Sequence, residues 1–374
     1  MLQMYDPKRE YQTHKQEIDA AIQGVLDHGL FINGPEVKEL EKKLCDYTGS
    51  KHAIGVSNGT DAIKIALLAL DVGVDDEVIT VAHTWISTAE VVSLIHAKPV
   101  FVDIEDTTFT MDPEKIEAKI TDKTKAILVV SLYGQPANMN RIQEIADKHG
   151  LPVIEDAAQS FGGTYLDKQS CNLSTIGTTS FFPSKPLGCY GDGGACFTND
   201  DDLAMKMRAI KSHGGIKRFH HKYIGMNARL DTLHAAVLNV KIDYFKETVK
   251  ARNACADYYT EQLAFLEEKG FRLPRVVEGS GSAWAQYSIL ATSKTQRDDI
   301  VSHLKENQIN AAIFYPAPLH TQECFQYLYN ETSLPELPVT ERVCDTVFNL
   351  PCYGEVTTKE QDYVIAVIKK YIIK

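Results

Sequence analysis

Between about residues 30 and 245 the chain alternates short apolar runs with longer stretches in which apolar residues recur every three or four positions. Apolar runs of four to eight residues suit buried strands, and the longer period marks helices with one buried face. HAIGVSN, EVITVA, KPVFVDI, KAILVVSLY, LPVIED and TSFF are the predicted strands. DAIKIALLAL, the segment from Asp112 to Ile120 and the segment from Asn140 to His149 are the predicted helices between them. Strands alternating with helices build a mostly parallel sheet covered on its faces, so the predicted fold class is α/β.

Beyond a helical stretch from 231 to 268 the texture changes. Gly and Ser cluster at 279–282, AQYSILA reads as a strand, and prolines gather at 316, 318, 335 and 338. This predicts a smaller α+β domain at 246–374, after a large α/β domain at 26–245 and an N-terminal helix at 1–25 that packs on either part. Two or three domains also match 374 residues at roughly 150 per domain.

Composition narrows the function classes. With 44% hydrophobic and 24% charged residues the chain can bury a core, and its formal charge of −11 disfavours nucleic acid or an anionic membrane as partner. The eight cysteines contain no C-x-x-C pair and read as reduced, buried residues. His220 and His221 are adjacent and lack the i, i+4 spacing of a helical metal pair, so no metal site is expected. The start, MLQMYDPKRE, is charged where a signal peptide is apolar, and no run approaches the roughly 20 apolar residues that span a bilayer. A soluble, cytoplasmic protein is expected.

In a parallel sheet, ligands gather at the carboxyl ends of the strands, and three such ends carry candidate chemistry. In Ser57-Asn58-Gly59-Thr60-Asp61, Gly59 lets a ligand approach the backbone, Thr60 offers a hydroxyl, and free helix amides favour an anion. Asn58 or Thr60 equally suits a helix cap. In Val153-Ile154-Glu155-Asp156, the two carboxylates point to opposite sides of the strand, one toward a site rim and one toward a structural partner. In Ser180-Phe181-Phe182-Pro183-Ser184-Lys185, the lysine sits among aromatic, proline and glycine residues, where desolvation lowers its pKa and makes it nucleophilic. An isolated lysine there reads as a plain surface-loop residue. Together, an anion cradle, an acid and a lysine on one sheet are what pyridoxal 5'-phosphate requires for its phosphate, its ring nitrogen and its Schiff-base amine.

SNGTDA, PVFVDI, VIEDAAQSFG, SFFPSKPLGCYGDGG and GMNARLDTLHAA together make the chain resemble the DegT/DnrJ/EryC1/StrS sugar aminotransferases, fold-type I pyridoxal phosphate enzymes. The resemblance runs from FINGPEVKELE to FYPAPLH. It implies that Lys185 binds the cofactor and moves the proton, that Asp156 pairs with the ring nitrogen, that Gln159 lies at the ring hydroxyl and that Trp85 stacks on the ring. It implies a phosphate site of Gly59, Thr60 and Ser180, with Asn227 contributed by the neighbouring subunit of a homodimer that shares its active sites. A dehydratase of the same family is disfavoured, because its lysine position typically holds histidine.

The segment KSHGGIKRFHHK, with Lys211, Lys217, Arg218 and Lys222 and three histidines including His213, suits a nucleotide diphosphate or a solvated loop. Within the family the run from Ser170 to Ala195 looks most like enzymes acting on UDP-linked 3-keto-N-acetylhexosaminuronic acids, with glutamate as amino donor and surface polysaccharide as destination. Arg229 then matches the sugar carboxylate, or forms an ion pair with Asp231. Tyr315 and His320 are further candidates for the sugar, although Phe314 stands where relatives often carry histidine and Trp85 where a smaller aromatic is commoner. A 3- or 4-keto-deoxyhexose nucleotide is the alternative acceptor. A cofactor-free lysine lyase and a non-catalytic sugar-nucleotide sensor are the readings from other classes.

Overall fold

The computed structural model describes residues 1–330 and 332–373. Its centre is a seven-stranded sheet of β1 (His52–Val56), β2 (Glu77–Val81), β3 (Lys98–Val102), β4 (Thr124–Val130), β5 (Val153–Asp156), β6 (Ile176–Ser180) and β7 (Gly194–Thr198). The strand order is β1-β7-β6-β5-β4-β2-β3, and every neighbouring pair is parallel except those made by β7. Every residue of β2, β5 and β7 is buried, as expected for a sheet covered on both faces.

The helices are α1 (Pro7–Thr13), α2 (Lys15–His28), α3 (Pro35–Thr48), α4 (Gly59–Ala69), α5 (Ser87–Leu94), α6 (Met139–His149), α7 (Asp201–Ile210), α8 (Thr232–Asp243), α9 (Phe245–Gln262), α10 (Lys294–Glu306), α11 (Pro338–Thr346) and α12 (Thr358–Ile373). Buried residues of α4, α5 and α7 pack on one sheet face, while those of α6 and of α3 and α8 pack in two clusters on the other. A further core joins α9, α10 and α12 to an antiparallel pair, β8 (Tyr287–Leu290) and β9 (Val347–Leu350). Leu290, Val343 and Val347 also belong to a cluster under the large sheet, so the C-terminal part is anchored on it. Among the described residues, no helix is long and apolar enough to cross a membrane.

Four local expectations change. The N-terminal segment is two helices, because His14 leaves helical geometry at φ −118°. It bridges both parts: Arg9 holds Glu360 of α12, and Glu10 holds Lys241 of α8. The segment from Asp112 to Ile120 forms two short 3-10 turns, since Pro113 and Ile116 are its only buried residues and offer no stripe for a longer helix. The stretch 231–268 breaks at Tyr244 between α8 and α9 and ends in a 3-10 turn. Finally, β7 was not expected as a strand. Its Gly194 pairs with Val56 on one side and Ser180 on the other, and a Cβ there would lie 2.6 Å from the Asn58 carbonyl. A bare glycine thus lets the ends of β1 and β6 converge.

Candidate active site

The site assembles where β1, β2, β5 and β6 end. Asn58 caps α4 by accepting from the Asp61 N–H at 2.7 Å, which leaves Gly59 and Thr60 to open the first turn. A Cβ on Gly59 would approach Ser180 Cβ to 2.7 Å, so only glycine lets the helix start meet the end of β6. Thr60 Oγ1 lies 2.7 Å from Ser87 Oγ, at the start of α5. Asn58 is the cap, and Thr60 is free of that task.

The next residue of α5, Thr88, donates to Asp156 Oδ2 at 3.1 Å, and the Ala158 N–H donates to Oδ1 at 3.1 Å. Asp156 is buried, and burial raises its pKa against the lowering effect of the Ala158 N–H, the Lys185 charge and Thr88. Its neighbour Glu155 faces the opposite way into a closed structural site. There it accepts from Ser131 at 2.8 Å, Ser170 at 2.6 Å and the Cys171 N–H at 2.7 Å. The two carboxylates therefore divide as strand alternation requires.

Lys185 rides in the loop after β6, where its N–H donates to the Phe182 carbonyl at 2.8 Å. Burial of the amine lowers its pKa, and the Asp156 charge opposes that shift. Gln159 accepts the Tyr133 N–H at 3.0 Å and donates to Tyr315 Oη at 3.1 Å. Tyr315 arrives from the C-terminal part, its phenol pushed well up by burial, and its ring lies 6.2 Å from that of Trp85. Trp85 is 59% exposed, so its indole face is available to a ligand.

Arg229 is bridged by its backbone to Val56 beside the cradle, and its buried Nε has no acceptor among the described residues. Among the described residues it makes no ion pair with Asp231. Asn227 and His213 are exposed near the short hairpin of Gly215–Lys217 and His220–His221. The other residues of the basic segment divide. Lys217, Arg218 and Lys222 are exposed, whereas Lys211 is buried, donating to the Gly55 carbonyl at 2.7 Å with Glu41 at 3.4 Å. Lys211 is thus a structural cation. His320 is also buried, 3.4 Å from Glu341 and beside Phe101, away from the contacts that join the other candidates.

The sequence pattern of the DegT/DnrJ/EryC1/StrS aminotransferase family matches residues 12–369. The chain belongs to this family. It is 46% identical to the UDP-2-acetamido-2-deoxy-3-oxo-D-glucuronate aminotransferase of Pseudomonas aeruginosa over 98% of this chain and 99% of that one. Two solved structures share its architecture. A DegT DnrJ EryC1 StrS aminotransferase from Brucella abortus, 38% identical, superposes with a TM-score of 0.94 over 99% of both chains. A Bacillus subtilis protein with bound pyridoxamine phosphate, 34% identical, superposes with a TM-score of 0.90 over 97% of this chain and 82% of the other.

The protein is a pyridoxal 5'-phosphate-dependent aminotransferase. Its own residues fit that cofactor on three counts: the bare backbone at Gly59, the carboxylate of Asp156 held in place by two donors, and the desolvated amine of Lys185. Sequence reading had singled out neither Ser87 nor Thr88, the consecutive residues that tie the cradle to the acid. Both stand in HTWISTAE, residues 83–90, at a helix start after a strand, where the strand-end rule applies equally.

Proposed function

We propose that this enzyme moves an amino group from L-glutamate to a UDP-linked 3-keto-N-acetylhexosaminuronic acid, supplying sugars for surface polysaccharide such as O-antigen. We place it in the cytoplasm as a homodimer with shared active sites. The similarity to the Pseudomonas enzyme along essentially the whole chain carries the reading. The unpaired Nε of Arg229 beside the cradle supports it, because a planar guanidinium matches a sugar carboxylate.

In this reading Gly59, Thr60 and Ser180 hold the cofactor phosphate, and Asn227 reaches the phosphate of the partner subunit's site. Asp156 keeps a proton on the ring nitrogen, Gln159 orients the ring, and Trp85 covers its face. When bound, the cofactor supplies an electron sink for the carbanion that forms at the substrate carbon. Lys185 Nζ, its basicity lowered by burial, would take the proton from the amino-bearing carbon of the donor and pass it to the second carbon centre within the same half-reaction, and would run the reverse transfer to deliver a proton to the sugar carbon that receives the amine. Arg229 binds the uronate. Tyr315 and His213 contact the sugar nucleotide, whereas His320, buried beside Phe101 and Glu341, takes no part in binding it.

The test loads the protein with cofactor, adds glutamate, and then supplies keto-sugar nucleotides with and without the carboxylate, following aminated sugar by mass spectrometry. The uronate is expected to exceed its neutral counterpart at least about tenfold in kcat/KM, with Arg229→Met removing the preference, since one charge-assisted hydrogen-bonded pair is worth that much. Equal turnover of a 4-keto-deoxyhexose nucleotide would overturn the substrate assignment.

A further inference from the structure

α8 carries a lysine that the chemistry above does not use. Lys241 is 4% exposed, and its ammonium meets both oxygens of Glu10 at 2.8 Å. It also donates to the Gly188 carbonyl and lies over the Tyr190 ring, 5.5 Å from its centre. Glu10 is buried in turn and accepts from Tyr5. Glu355 is a further acid near the pair, its pKa raised by burial and by the Glu10 charge. A buried cation is retained at a cost unless it is fully partnered, and losing one partner strands the other.

Gly188 lies three residues beyond Lys185 in the same loop. That loop is closed at its neck, where the Cys189 N–H donates to the Phe181 carbonyl at 2.7 Å. It is folded so tightly that a Cβ on Gly188 would fall 2.5 Å from the Pro183 carbonyl oxygen. The neck bond and the packing of Gly188 on the Phe182 and Pro183 carbonyls, the first of which also accepts the Lys185 N–H, link the Gly188 carbonyl to the backbone that carries Lys185.

We infer that Lys241, held by Glu10 of the N-terminal helix, is a positioning residue that sets the orientation of the Lys185 amine through the Gly188 carbonyl. The N-terminal helices, remote from the cofactor cradle in sequence, are on this view part of the apparatus that aims the catalytic lysine.

The experiment uses the full-length, cofactor-loaded enzyme with Lys241→Met, Lys241→Arg, Glu10→Gln and the double variant Glu10→Gln/Lys241→Met. The visible absorption of the lysine-linked cofactor is titrated against pH, and steady-state rates and Tm are measured alongside. Lys241→Met and Glu10→Gln are expected to shift the midpoint of the spectral titration and to lower kcat on the order of tenfold to a hundredfold with little change in KM, as for a small misplacement of a reacting group. The double variant is expected to add little to either single change, and Lys241→Arg to recover part of the loss. If variants that remain folded keep the wild-type midpoint and kcat while only Tm falls, the network is structural and the inference fails. Glu10→Gln, which keeps the lysine, decides the matter should Lys241→Met not fold.

Discussion

A single methyl group tests the cradle at the scale of one residue. Gly59 has no positive φ, so alanine is tolerated by its backbone, but the new Cβ would press on Ser180. Gly59→Ala is expected to weaken cofactor binding at least about tenfold in equilibrium dialysis while leaving the Tm of the cofactor-free protein within a few degrees, as its cost of about 1–3 kcal/mol falls on the site. Unchanged affinity would show that α4 does not hold the phosphate. The family resemblance pointed to Asp156, whereas strand alternation alone separates Glu155 from Asp156 without saying which of the two faces the site. That was decided by Ser131, Ser170 and Cys171, which come from other parts of the chain and satisfy Glu155.

At the scale of elements, α1 and α12 are clasped by Arg9 and Glu360, whose contacts are 2.8 Å and 2.6 Å. Glu360 also accepts from the Thr357 N–H in a capping box at the start of α12. The Arg9 hydrogen bond holds the Glu360 carboxyl down at about 2, from an ordinary 4.5. A depressed carboxylate contributes stability that is present above its unfolded pKa and lost as pH falls through its folded one. Acidification from pH 4.5 toward 2 therefore releases the clasp. Both side chains are part exposed, so the contribution is about 1 kcal/mol or less. In urea unfolding, Arg9→Met is expected to cost that amount at neutral pH and nothing once Glu360 is protonated; an equal loss at both extremes would assign the effect to packing. The main strands and α6 were readable because their apolar periods are unbroken. The strand β7 was not, since GACFT follows a glycine-rich turn and takes its place only by pairing between β1 and β6.

At the scale of the whole molecule, the proposed homodimer would place Asn227 and Lys185 of one working site on different subunits. Lys185→Ala and Asn227→Ala are each expected to be nearly inactive, yet refolding them together should restore about a quarter of wild-type activity, because half of randomly paired symmetric dimers are mixed and each mixed dimer has one intact site. No recovery would mean that Asn227 serves its own chain. The sequence by itself determined the α/β class and the cofactor, and it pointed to Lys185, Asp156 and the Gly59–Thr60 cradle as candidates, because local spacing, residue chemistry and the family motifs are all carried by short stretches of chain. Only the tertiary structure decided that Lys211 and His320 are buried, that Ser87 and Thr88 join cradle to acid, and that Glu10 reaches the loop of Lys185 through Lys241. Each of those depends on contacts between residues far apart in the chain, and burial is a property of the packed whole that no local pattern encodes.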